Sequence, residues 1–272
     1  MDILVCFKTG PDLDMLNAAD WLVNDALQVN TDFVPVMLNP YDESALELGL
    51  RLRDGSCGTP ADVQLTALTI GPDDSRKALK NLLALQYDHA LRVHCALDIR
   101  FNAPAVAAII HRYMQKENHQ VLLCGSQSNE GANGKTPLLV AEKLGIPCIT
   151  AVSSVMLSKQ PGCLEVISRF EGCQLVQTVK PPVVLAVGNA PGTYIRVPTL
   201  KDRLNSARKE VKVYSLAELG LSEQGLAAAN DLEVIDLFPE THERSGVAIQ
   251  GRCAAEKAAV VYEEYLRKRF KL

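Results

Sequence analysis

Over its first 152 residues the chain alternates short apolar runs with amphipathic segments, and no other feature limits its possible folds as much. Residues 3–7, 63–70, 90–94, 121–124 and 148–152 are apolar runs of strand length. Between them, residues 42–54, 74–85, 104–116 and 137–144 carry apolar side chains at helical spacing among charges. Strand–helix–strand units close by right-handed crossovers. The pattern therefore predicts a doubly wound α/β fold, a mostly parallel sheet with helices on both faces. Ligands of such sheets bind beyond the carboxyl ends of the strands. The loops after residues 7, 70 and 124 leave strands at that edge and can converge on one site.

The pattern changes after residue 152. Residues 155–158, 164–170 and 174–179 read as strands, and the turn Glu171-Gly172-Cys173 makes the last two a β-hairpin extension. Residues 183–187 form another apolar strand after Pro181-Pro182. Residues 188–203 hold Pro191, Gly192 and Pro198 without periodicity and read as a long loop. Long loops in compact domains are commonly functional. From about Leu216 an acidic, alanine-rich linker leads to a last helix over 254–270, with a polar middle at 240–245. The division expected is an α/β domain over 1–215 and a C-terminal arm over 216–272.

Composition removes several function classes. A formal net charge of −4 offers no bulk attraction for nucleic acid. No apolar run is long enough to cross a bilayer, so no membrane insertion is expected. The opening residues lack the basic region and cleavage site of a signal peptide, which predicts a cytoplasmic location. Eight cysteines without a C-x-x-C pair read as free thiols in a reducing compartment. The five histidines lack metal-ligand spacing, so neither a metal site nor a set of catalytic residues is expected.

Chemistry concentrates in residues 123–136, Leu-Cys-Gly-Ser-Gln-Ser-Asn-Glu-Gly-Ala-Asn-Gly-Lys-Thr. The segment links the end of a strand to the start of a helix and is built of glycine and small polar residues. Glycine lets backbone N–H groups approach an anion, and the helix N-terminus adds partial positive charge. Gly134-Lys135-Thr136 ends like a Walker A loop, but Asn129 stands where that loop needs its first glycine. The later strands also end without the acidic metal ligand of a nucleotide triphosphatase. A merely flexible polar loop is the plainer alternative.

Four local patterns resemble the β subunit of electron-transfer flavoproteins. They are Lys8-Thr9-Gly10-Pro11-Asp12; Asn39-Pro40-Tyr41-Asp42-Glu43-Ser44-Ala45-Leu46-Glu47; Thr66-Ala67-Leu68-Thr69-Ile70-Gly71-Pro72; and Gly125-Ser126-Gln127-Ser128 with Ala141-Glu142-Lys143-Leu144-Gly145-Ile146-Pro147 downstream. The resemblance runs from residue 1 to about 220. It implies an adenine nucleotide α-hydrolase-like fold that binds AMP, or FAD in some members. It also implies a heterodimer with an α subunit that holds the main FAD.

By the same resemblance the nucleotide-binding residues would be Cys6, Asn39, Pro40, Tyr41, Asp42, Ile70 and the run Gly125, Ser126, Gln127, Ser128, Asn129, Glu130, Gly131, Ala132, Asn133, Gly134, Lys135 and Thr136. Asn39 and the first turn at Asp42 would bind base or ribose. Cys6 and Ile70 would wall the adenine, and Thr136 would cap the helix at the end of the loop. Asp42 has a plainer role open to it, helix initiation. Leu13 falls where the family approaches the α-bound flavin.

Departures from the family pattern bear on specificity. Lys135 stands where the family has Gln, which favours a more negative ligand such as ADP or FAD over AMP. Arg196-Val197-Pro198-Thr199-Leu200 resembles the family's docking segment, with Leu200 as the anchor for a partner flavin dehydrogenase. Beyond Leu200 the family pattern is broken at Arg203 and Asn205. These expectations describe an electron carrier without a substrate of its own. The rival is a stand-alone adenine-nucleotide-binding protein, a sensor or a hydrolase; an enzyme forming acyl-adenylates is a third reading.

Overall fold

The computed structural model describes residues 1–56, 62–71, 75–129, 131–188, 190–230, 232–238, 246–267 and 269. In chain order the body holds β1 (Asp2–Cys6), a small pair β2 (Thr9–Pro11) and β3 (Val36–Leu38), α1 (Pro40–Ser56), β4 (Gln64–Ile70), α2 (Arg76–Ala84) and β5 (His89–His94). Next come α3 (Ala103–Glu117), β6 (Val121–Gly125), α4 (Thr136–Leu144), β7 (Cys148–Leu157), β8 (Leu164–Phe170), β9 (Cys173–Val179) and β10 (Val183–Val187). The body ends with α5 (Leu200–Ser206), β11 (Lys212–Ser215) and α6 (Glu223–Ala228).

Nine strands among the described residues form one sheet, in the order β11-β5-β4-β1-β6-β10-β7-β8-β9. The first seven in that order pair in parallel, and β8 and β9 extend the sheet antiparallel. The predicted doubly wound, mostly parallel architecture is therefore present. The central strands are apolar on both faces because helices cover both. Ile3 and Val5 lie in the core beneath α1 and α2, while Leu4 and Cys6 lie in the core beneath α3 and α4. Such double-sided burial is why these strands read as unbroken apolar runs and do not alternate.

Chain order reverses at β1. From β1 the sheet grows through β4 to β5, and β6 then returns to the other side of β1. The carboxyl ends of β1 and β6 therefore border the switch-point crevice of the sheet. Helix α1 lies over β1 and β6 and is buried along most of its length. Gly49 makes this close packing possible: a Cβ there would stand 3.2 Å from the Tyr87 hydroxyl, which donates to the Leu46 carbonyl at 2.9 Å.

Several elements differ from expectation. The two strands expected over 148–152 and 155–158 are one strand, β7, whose register with β10 shifts around Ala151, which takes φ +52°. The small β2–β3 pair, α5 and β11 are additions to the expected elements, because each is too short to show a period. Leu216, Leu219 and Leu226 are buried beside α3, so the compact body continues to Ile235 and does not end at 215. The second unit, Asp236–Leu272, contains α7 (Ala254–Val260), which widens into a π-helical turn over Val261–Leu266. Positions 74, 240–245 and 270, where expected elements begin, lie or end, are outside the described residues. Among the described residues no helix is long and apolar enough to cross a membrane.

Candidate functional site

A cavity of about 840 Å³ opens beyond the carboxyl ends of β1, β4, β5 and β6. Cys6, Ile70, Val106, Ile110 and Cys124 give it an apolar wall, and Ser126, Ser128, Asn133, Lys135 and Thr136 give it a polar one. Residues 31–36 and the β2 strand close its outer side. Their position is set by the β2–β3 pairing, in which Pro11 stands opposite Val36 and the Asp12 amide donates to the Pro35 carbonyl at 2.9 Å.

Asp42 organises the crevice. Its Oδ1 accepts from the Gly125 amide at 2.7 Å and its Oδ2 from the Lys8 amide at 3.0 Å. One buried carboxylate thus ties the loop after β1 to the loop after β6. Burial pushes the Asp42 carboxyl up to about 6, against hydrogen bonds from Asn39, Gly125 and Lys8 that pull it down. Burial, reinforced by the Asp42 charge, also drives the Cys6 thiol well above its ordinary range. Cys124 moves the same way for the same main reason, so these wall thiols stay protonated.

Gly125 is dictated by this contact. A Cβ there would lie 2.5 Å from Asp42 Oδ1 and 2.8 Å from Tyr41 Cβ. Gly131 is constrained too, with φ +75° and an added Cβ 2.6 Å from the Arg100 carbonyl. The polar loop is therefore seated against its neighbours, which argues against a merely flexible segment.

The two helices beside the cavity begin differently. Asn102 caps α3, its side chain accepting from the Ala105 amide at 2.9 Å. No side chain caps α4, whose N-cap position is Lys135. Thr136, the expected cap, is instead the first helical residue. An uncapped helix N-terminus after a glycine-bearing loop suits an anionic group.

The residues expected at the site divide into groups. Cys6, Asp42, Ile70, Gly125, Ser126, Gln127, Ser128, Asn133, Gly134, Lys135 and Thr136 line the cavity. Asn39 and Tyr41 stand behind it: Asn39 donates to the Gln127 carbonyl at 2.9 Å, and the Tyr41 hydroxyl accepts from the Gln127 side chain at 3.2 Å. Asn39 Oδ1 is buried without a partner, and Asn39 and Asn129 both line a small cleft of about 10 Å³. Pro40 only opens α1, and Gly131 and Ala132 do not line the cavity. Glu130 lies outside the described residues.

Sequence reasoning missed the loop after β5. His94, Cys95, Leu97, Asp98, Ile99 and Arg100 all line the cavity. Asp98 and Arg100 pair at 2.6 Å, and this contact holds the Asp98 carboxyl below its usual range. The available signal was topological, since this loop leaves the same edge of the sheet as the other three. Among the described residues no group of three His, Cys, Asp or Glu side chains is arranged to hold a metal ion.

A second feature sits on the flank of α1. Residues 192–196 are bound along that helix: Ile195 N donates to Glu43 at 3.2 Å and Thr193 Oγ1 to Ser44 at 2.8 Å. Arg196 donates to Glu47 through Nε at 3.2 Å and Nη2 at 2.7 Å, and to Asp54 through Nη1 at 2.6 Å. Leu200 is not inside the loop but opens α5, behind a Thr199–Asp202 capping box. Leu200 is 74% exposed, and Tyr194, Val197 and Leu204 nearby in sequence are exposed too.

Comparison with known proteins gives consistent matches. The family model described as the electron transfer flavoprotein domain matches residues 27–219. The chain is 30% identical over 271 residues to the "Putative electron transfer flavoprotein subunit YgcR" of Escherichia coli (strain K12), with 99% of each chain covered. It is 26% identical over 265 residues to the electron transfer flavoprotein subunit beta of Bacillus subtilis (strain 168), 96% of each. It is also 26% identical over 268 residues to that subunit of Methylophilus methylotrophus, covering 96% of this chain and 97% of the other.

Proposed function

The chain belongs to the electron transfer flavoprotein family, as a subunit of the β kind, and we propose that it forms one half of a heterodimer whose α subunit carries the working FAD. In that role it passes electrons between a dehydrogenase and an acceptor and has no substrate chemistry of its own. The flavin, when bound, supplies the redox chemistry, and the protein supplies position and environment.

The observation that carries the reading is the crevice between β1 and β6. An adenine nucleotide would lie there, with its ring against Cys6, Ile70 and Val106 and its phosphate toward residues 126–136 and the uncapped start of α4. Two features support the fit: the cavity volume and the absence of a side-chain cap on α4. Asn39 and Tyr41 would act indirectly, by holding Gln127. Lys135, exposed at the mouth, would favour a diphosphate over AMP. Residues 236–272 would dock on the α subunit, and Leu200 on a partner flavin dehydrogenase. Both assignments fit a cytoplasmic protein.

Co-expression with an electron transfer flavoprotein α subunit should yield a yellow complex that releases an adenine nucleotide on denaturation. A chain that stays colourless and monomeric beside that partner and hydrolyses ATP would favour the rival nucleotide-enzyme reading. Calorimetry with AMP, ADP and FAD should show a preference that Lys135→Gln shifts toward AMP. Leu200→Ala should lose capture of the redox partner without loss of the flavin complex.

A further inference from the structure

Helix α1 holds both the crevice and the 192–196 segment. At its first turn, Asp42 binds the Gly125 and Lys8 amides, and Asn39, just before it, binds the Gln127 carbonyl. Farther along, Glu43, Ser44, Glu47, Arg51 and Asp54 bind residues 192–196. Nε, Nη1 and Nη2 of Arg196 all donate to carboxylates of α1. The guanidinium is thus turned onto the helix, while the apolar side chains around it are exposed.

We infer that nucleotide occupancy of the cavity and presentation of Leu200 are linked through α1, with Arg196 as the joint. This rests on the proposed nucleotide and docking roles. The bistable element is the 192–199 segment, either clamped on α1 or released from it. A nucleotide seated against residues 125–136 steadies the loops that hold Asp42, and so steadies the start of α1. A steadied helix keeps Glu47 and Asp54 in the fixed spacing that a planar two-carboxylate fork requires. Coupling of binding equilibria is reciprocal, so release of the clamp weakens the nucleotide by the same factor. Arg196 is a positioning residue in this scheme and makes no contact with either ligand.

Hydrogen exchange on the full chain, in complex with its flavoprotein partner and with AMP as probe, tests the link. AMP should slow exchange in residues 125–136 and also in residues 192–204, the latter by at least about fivefold, the lower end of the usual span of such couplings. In Arg196→Lys, and in Asp54→Asn should the lysine variant fold poorly, AMP should still protect 125–136 but no longer 192–204. The affinity of each variant for AMP should fall by the factor lost in the loop. Leu200→Ala keeps the clamp and should retain the full pattern; its loss there would remove Arg196 from the joint. Protection of 125–136 alone in the wild type overturns the link and leaves the nucleotide role standing. Protection of neither segment overturns both.

Discussion

The two attachments of α1 differ in their physics. At its start, a carboxylate only 7% exposed accepts from two backbone amides. On its flank, Glu47 is similarly buried, but the group that binds it is a half-exposed guanidinium on a flexible side chain. Backbone amides are fixed by the sheet, and water and salt reach them poorly. A guanidinium can swing away and be solvated. On the coupling proposed above, the first attachment is the permanent joint between two strand ends and the second the one that opens. The proposed nucleotide cradle would need the former, and the proposed docking loop would gain from the latter.

Gly125→Ala attacks the permanent joint and has the largest expected effect. The added methyl occupies the space of Asp42 Oδ1 and Tyr41 Cβ, so α1 must shift and its hydrogen bond to residue 125 is lost. Overpacking together with loss of a charge-assisted hydrogen bond should cost about 4 kcal/mol, read from urea unfolding. Near-wild-type stability would mean that the start of α1 yields easily, and the contrast between the two attachments would fail.

Asp42→Asn sharpens the same contrast through pH. The Asp42 carboxyl titrates at about 6 in the fold against an ordinary 3.8, because burial disfavours its charge. A raised folded value means that its stabilising contribution is complete below about pH 4 and is lost as pH rises through about 6. Two units correspond to about 3 kcal/mol. The stability advantage of wild type over Asp42→Asn should therefore shrink between pH 4 and pH 7. Asp98, whose lowered carboxyl acts in the opposite sense, is present in both proteins and cancels. Parallel stability curves for the two proteins would refute the assignment.

Arg196→Gln tests the releasable joint. It removes one of the two cations on the buried Glu47 and leaves Arg51 at 3.3 Å, and the Arg196 guanidinium is 41% exposed, so solvent discounts the loss to roughly 1–2 kcal/mol. The Asp54 contact is exposed on both sides, so the difference from wild type should narrow as salt is raised. A difference that ignores salt would place this clamp in the same class as Asp42.

Legibility in the sequence obeys the same division. The β1, β4, β5 and β6 strands could be read because burial on both faces leaves runs such as Val121-Leu122-Leu123 wholly apolar. The polar side of the cavity could be read because the close packing of Asp42 and Tyr41 demands glycine at 125 and positive φ demands it at 134. Neither the β5 loop nor residues 31–36 could be read. Their places depend on pairings distant in sequence, such as Pro11 with Val36, and their composition is that of any surface loop. Asp42 shows the limit most clearly. An acid in the first turn of a helix ordinarily serves its own helix, yet this one serves two other loops, a role visible only once β1, β6 and α1 are brought together.

The smallest expected effect lies at the root of the loop after β10. Ala151 holds φ +52° inside β7, a conformation that strains residues bearing a Cβ. It packs against Gly188, where an added Cβ would stand 3.4 Å from the Ala151 Cα, and the Gly188 amide donates to the Val152 carbonyl at 2.9 Å. Ala151→Gly relieves the strain but gives the unfolded chain more freedom, so the net gain should be about 0.5 kcal/mol, seen as a slight rise in Tm. Because the strain sits in the sheet and not in the clamp, exchange in residues 192–204 should not change. A loop that loosened in this variant would show that β7 as well as α1 sets its position, and the contrast drawn between the two attachments of α1 would then have to include the strand beneath.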